Sequence, residues 1–183
     1  MNIHDVISIE DIYLKILHPE DIHDGYISSL NDPKINQFLV NVKTTLQTYD
    51  TVRIFINNNL NSSNTFFFGI WHKESKNKII GTIKLHQSNN EKSDIGICLF
   101  DQKFWNKGIG TKAIKAVSDW ALCKKISIKI TAGIFLENKA SVKSFTNAGY
   151  KLTEINPTKY FIDNNPAPVG FFEYSELLKL KIN

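Results

Sequence analysis

A strand, a glycine-bearing loop and a long one-sided helix follow one another between Asp94 and Lys125, and this succession constrains the fold more than any other part of the chain. Asp94 to Phe100 is an apolar, strand-like run in which Gly96 marks a bulge or a close approach of backbone. Gly110 to Lys125 carries Ala113, Ile114, Val117, Trp120 and Ala121 on one helical stripe. A stripe of that kind has to be buried against a second layer, and the neighbouring strands offer a sheet.

The rest of the chain supplies that sheet. Ile12 to Leu17 alternates and reads as a first strand. His18-Pro19-Glu20-Asp21 signals a helix start, and a helix follows from Asp21 to Leu30 with acids in the first turn, where the dipole favours them. Asp32 caps and Pro33 opens a helix to Leu39, and Thr48 caps another through Ile56. Thr65 to Trp71 and Lys78 to His86 form a hairpin. Ser127 to Ile134 is a buried strand, and Ala140 to Asn147 is a helix stopped by Gly149. Lys151 to Ile155 and Gly170 to Leu178 are final strands joined by the loop from Asn156 to Val169. This order predicts an α+β (mixed α/β) fold, a central, mostly antiparallel sheet with flanking helices, in a single domain over residues 1–183.

Composition excludes more than it identifies. With 42% hydrophobic residues in 183, the chain is not disordered. No apolar run approaches a membrane span, and the acidic N-terminus is not a secretory signal, so a soluble, cytoplasmic protein with no membrane partner is expected. The net charge is +4, but the lysines are scattered and Arg53 is the lone arginine, which argues against a nucleic-acid partner. Cys98 and Cys123 lack metal-ligand spacing, and the histidines are isolated, so no metal is expected.

The loop between strand and helix has its own logic. Gly108 and Gly110 remove side chains where backbone must come close to something, and Asn106 tolerates left-handed backbone. Successive amides there can point into one concavity, to which the helix adds its positive N-terminus. Such a cradle suits phosphate or pyrophosphate, with Lys107 and Lys112 adding charge. A glycine-rich helix start with no ligand is the plain alternative. The loop lacks the full nucleotide-triphosphatase and dinucleotide fingerprints.

Two segments carry a resemblance. Asp94-Ile95-Gly96-Ile97-Cys98-Leu99 followed by Phe104-Trp105-Asn106-Lys107-Gly108-Ile109-Gly110-Thr111-Lys112-Ala113 resembles motif A of the GNAT (GCN-related) N-acetyltransferases. Leu136-Glu137-Asn138-Lys139-Ala140-Ser141 through Phe145 to Gly149-Tyr150-Lys151 resembles motif B. The first sixty residues are similar to the ribosomal-protein N-acetyltransferase and amino-sugar acetyltransferase branch. The resemblance implies a GNAT fold with acetyl-CoA as cosubstrate and a sheet splayed at the cofactor. Trp105, Asn106, Lys107, Gly108, Ile109, Gly110 and Thr111 would hold the pyrophosphate. The backbone of Ile97, Cys98 and Leu99 would pair with the pantetheine arm and donate to the thioester oxygen. Asn138, Ser141 and Phe145 would meet that arm.

The implied chemistry is direct attack of a primary amine on the thioester, and the amine must lose a proton. Asp94 is the first choice for base and His86 the second; an ordinary polar residue flanking a strand is the alternative for Asp94. Many relatives place a tyrosine four residues before the glycine of motif B to protonate the leaving thiolate. Here that residue is Phe145, and Ser141, one turn earlier, or water would take the role. Phe145 packs either against the cofactor arm or in the core. Cys98 is a less apt nucleophile, with no histidine partner evident. The acceptor is expected to be a small molecule, such as a nucleotide-linked amino sugar, with the loop from Asn156 to Val169 as a wall. Alternatives are a protein N-terminus and a non-catalytic CoA-binding role, the latter prompted by Phe145. A homodimer is compatible with the final strands.

Overall fold

The computed structural model describes residues 6–158, 160–162 and 165–175. In chain order the elements are strands β1 (Ile7–Ile9) and β2 (Ile12–Ile16), helices α1 (Asp24–Leu30), α2 (Pro33–Asn36), α3 (Val40–Lys43) and α4 (Tyr49–Leu60), and strands β3 (Thr65–His72), β4 (Ile79–Gln87) and β5 (Lys92–Leu99). Helix α5 (Ile109–Cys123), β6 (Lys129–Phe135), α6 (Lys139–Asn147), β7 (Lys151–Asn156), β8 (Phe161–Ile162), β9 (Asn165–Pro166) and β10 (Val169–Ser175) complete it. The registered pairings β1–β2, β2–β3, β6–β10, β7–β10 and β8–β9 are antiparallel, and β5–β6 is parallel. This is the mixed α+β, mostly antiparallel architecture expected from the sequence. No helix among the described residues is long and apolar enough to cross a membrane.

The chain packs as two compact units, Met1–Lys84 with Ile97–Ile109, and Leu85–Gly96 with Gly110–Asn183. In the first, the strand order is β1-β2-β3-β4. Its core is Leu17, Tyr26, Leu30, Val52, Ile56, Phe67, Trp71, Ile79 and Phe100. Tyr26 stacks on Phe100 with centroids 4.8 Å apart. The helix expected from Asp21 begins only at Asp24, because the His23 ring accepts the amide of Tyr26 and so caps α1, while Pro19–Asp21 closes a separate 3-10 turn. The helix expected to reach Leu39 ends at Asn36, whose side-chain amide donates to the Leu30 carbonyl. Thr48 caps α4 as expected, reciprocally with Thr51.

In the second unit the order is β5-β6-β10-β7. Four of the five residues of the α5 stripe are buried as their spacing requires, Ala113, Ile114, Val117 and Ala121 all being 0% exposed, while Trp120 is only half-buried. Ile130, Ala132 and Ile134 alternate inward on β6, and Phe172 and Tyr174 on β10. Asn138 caps α6, and Gly149 follows its end at φ 100°. The parallel pairing of β5 with β6 covers Lys92–Asp94 against Lys129–Thr131. Strand β10 begins at Val169, and the expected extension past Ser175 lies outside the described residues.

Candidate active site

The loop before α5 has the backbone that its composition foretold. Asn106 (φ 58°) and Gly108 (φ 75°) are both left-handed, and Ile109, buried, is the first residue of the fifteen-residue α5. A Cβ at Gly108 would meet nothing within 4 Å, and the same holds at Gly96. Asn106, Lys107 and Gly108 are exposed. An exposed left-handed loop running into a helix N-terminus is a fit for an anionic cofactor segment. The loop is pinned from below. Phe104 is buried against the His72 ring (centroids 4.7 Å), Lys107 lies 5.4 Å over the Phe104 ring, and the Trp105 indole donates to the Leu99 carbonyl at 2.7 Å. Trp105 therefore ties the loop to the end of β5.

Asp94 sits exposed on β5. Its Oδ2 accepts from the Ser88 hydroxyl at 2.5 Å. Its Oδ1 accepts from the Thr131 hydroxyl and faces the Lys92 ammonium at 3.7 Å. Partial burial pushes the carboxyl up, but the bonds from Ser88 and Thr131 and the charge of Lys92 outweigh it, leaving Asp94 below its ordinary value. His86 is exposed near the end of β4, two residues before Ser88.

On α6, Ser141 is half-buried, and its amide donates to the Asn138 side chain at 3.0 Å, so the Asn138 carbonyl oxygen serves as the helix cap. Phe145 is buried at 2% and meets Tyr150 edge-on at 5.0 Å: of its two expected surroundings, it has the core. Tyr150 is buried as well. Its hydroxyl lies 2.7 Å from that of Ser118, and burial, only partly offset by that bond, holds the phenol above its usual range. Tyr150 is thus a structural residue. Tyr150→Phe is expected to cost about 1 kcal/mol, a fall of roughly 2–4 °C in Tm, with turnover unchanged; calorimetry and a rate assay check both.

Cys98 is partly buried against the core of the first unit, and burial pushes its thiol up to about 12, which removes the thiolate a nucleophile needs. Two features escaped the sequence reading. Gly81 is obligatory because a Cβ there would come within 2.7 Å of the Cys98 carbonyl. Ser144 places its hydroxyl 3.5 Å from where a Gly110 Cβ would stand, beside the start of α5. Neither had a local signal, since both depend on segments remote in sequence.

A family model described as an acetyltransferase (GNAT) domain matches residues 11–151. No curated protein matches in sequence. Among solved structures, an acetyltransferase (GNAT family) from Bacillus anthracis superposes with a TM-score of 0.81 at 18% identity, covering 94% of this chain and 99% of that one. The ribosomal L7/L12 alpha-N-protein acetyltransferase RimL in complex with coenzyme A gives 0.79 at 12% identity, over 93% and 98%. Spermidine N-acetyltransferase from Vibrio cholerae in complex with CoA and spermine gives 0.79 at 16% identity, over 93% and 98%. At these identities the structural likeness is one of fold.

Proposed function

The chain belongs to the GNAT acetyltransferase family, and on that premise we propose that it transfers the acetyl group of acetyl-CoA to a primary amine of a small molecule by direct attack. The observation that carries the cofactor is the loop at Asn106 and Gly108, left-handed, exposed, and open where a side chain would stand. Its amides and the α5 N-terminus would hold the pyrophosphate, with Trp105 keeping the loop in place. The backbone of Ile97 to Leu99 and the start of α6 at Asn138 would meet the pantetheine arm. The cofactor would supply an activated acyl carbon and a thiolate leaving group.

The protein's own groups manage the protons. Asp94, held ionised, attracts the amine and takes a proton from nitrogen as the new bond forms. Nitrogen grows strongly acidic as it bonds to the acyl carbon, so a weak carboxylate base suffices. His86, exposed near the end of β4, would pass that proton to solvent. Ser141 would relay a proton to the departing sulfur and regain it from water, in place of the family tyrosine. The two free cysteines suit a reducing compartment, and we place the protein in the cytoplasm. A test is acetyl-CoA binding by calorimetry together with thiol release over a panel of amines, nucleotide-linked amino sugars and peptide N-termini. Turnover of any small amine is the expected result. Turnover confined to peptide N-termini defeats the small-molecule acceptor, and tight binding without turnover defeats the transferase.

A further inference from the structure

The open face of the second unit's sheet is sorted by chemistry. Ile130, Ala132 and Ile134 point into the core, so Lys129, Thr131, Gly133 and Phe135 face the other way. Residues paired across strands share a face, which adds Glu173, Phe171 and Val169 from β10, opposite Thr131, Gly133 and Phe135, and Asp94 from β5, opposite Thr131. The polar end holds Asp94, Thr131 and Glu173. The apolar end holds Phe135 and Phe171, over which Tyr160 folds with centroid distances of 6.5 and 6.4 Å. Between them lies Gly133, exposed, where a Cβ would stand 3.5 Å from the Phe171 ring and 3.7 Å from Val169. A side chain there would fill the shelf that glycine leaves.

The polar end discriminates by charge. Its two lysines each have a carboxylate partner, Lys92 with Asp94 at 3.7 Å and Lys129 with Glu173 at 3.5 Å. A diphosphate arriving there would have to compete with these acids. Asp94, by contrast, has room for a further donor: a carboxylate has about four lone-pair sites, and among the described residues Ser88, Thr131 and Lys92 meet its two oxygens. Along a strand, Thr131 and Gly133 are about 7 Å apart, so an amine held at Asp94, opposite Thr131, reaches a body resting on Gly133 through a chain of only a few atoms.

We propose that the acceptor is a primary amine borne on a short chain from an apolar, ring-sized body, with its nitrogen at Asp94 and its body on the Gly133 shelf against Phe171, Phe135 and Tyr160. This rests on the acetyltransferase reading and names its substrate class. The test uses the full chain and compares kcat/KM for 2-phenylethylamine, ethanolamine, a nucleotide-linked amino sugar and a peptide N-terminus, with acetyl-CoA affinity measured separately by calorimetry. The expected result is at least a tenfold preference for 2-phenylethylamine. Gly133→Val should raise its KM at least tenfold while leaving that of ethanolamine within about twofold. Phe171→Ala should erase the preference through KM, with kcat and acetyl-CoA affinity held. Should Phe171→Ala fail to fold, Gly133→Val decides. Equal or better use of ethanolamine, the nucleotide sugar or the peptide, with acetyl-CoA bound normally, overturns the proposal alone. Absence of acetyl-CoA binding overturns the acetyltransferase reading, and this proposal with it.

Discussion

Asp94→Asn is expected to lower turnover by about a hundredfold, the low end of what a positioned acid or base contributes, with acetyl-CoA affinity unchanged. The substitution keeps shape and removes charge. The Ser88 and Thr131 hydroxyls can rotate to suit an amide, so the fold survives, but neither an ammonium nor its proton finds an anion. The pH dependence separates this role from a structural one. The folded-state pKa of Asp94 lies below its ordinary 3.8. Its contribution to stability is therefore fully present above that value and is lost as pH falls through the lower, folded one. Wild type and Asp94→Asn should keep a constant difference in stability from neutral pH down to about pH 5 and converge in stronger acid. The loss of turnover should persist across the whole neutral range. Turnover within a few-fold of wild type would remove Asp94 from the chemistry.

Gly108→Val should weaken acetyl-CoA binding by roughly ten- to a hundredfold, the equivalent of about 1–3 kcal/mol for a β-branched residue in left-handed backbone. The cause is conformational and not a clash, because a Cβ at Gly108 points into open space. To relieve φ 75° the loop must turn its amides, and the cradle goes with them. Since Gly108 is exposed, Tm should move little. Calorimetric titration of acetyl-CoA against both forms is the measurement, and an affinity within twofold of wild type would sink the cradle.

The parts of the site that could be read in advance are local. Asn106 and Gly108 declare left-handed backbone by residue type, and the α5 stripe declares most of its buried face by spacing. The short β1, the 3-10 turn at Pro19–Asp21 and the β8–β9 hairpin were not foreseen, because two- and three-residue elements have too few positions to show a period. Strand β7 gives a sharper case. By simple alternation Leu152 and Ile155 should face opposite ways. The register pairs Phe172 with Leu152 and Phe171 with Glu154, leaving Thr153 as an extra residue that brings Leu152 and Ile155 onto one face.

The sequence by itself determined the order of the long elements and the left-handed backbone of the loop before α5, and its motifs carried the family resemblance. The first two follow from φ preferences and hydrophobic periods that act within a few residues. Only the tertiary structure decided what surrounds Asp94, that Phe145 belongs to the core, and that Gly133 lies between a carboxylate and three aromatic rings. Those depend on strand register. Thr131 reaches Asp94 across 37 positions of chain, and a slip of one residue would turn every side chain of β6 to the other face. That choice is made by the burial of Ile130, Ala132 and Ile134 in the packed unit, which no short stretch of sequence contains.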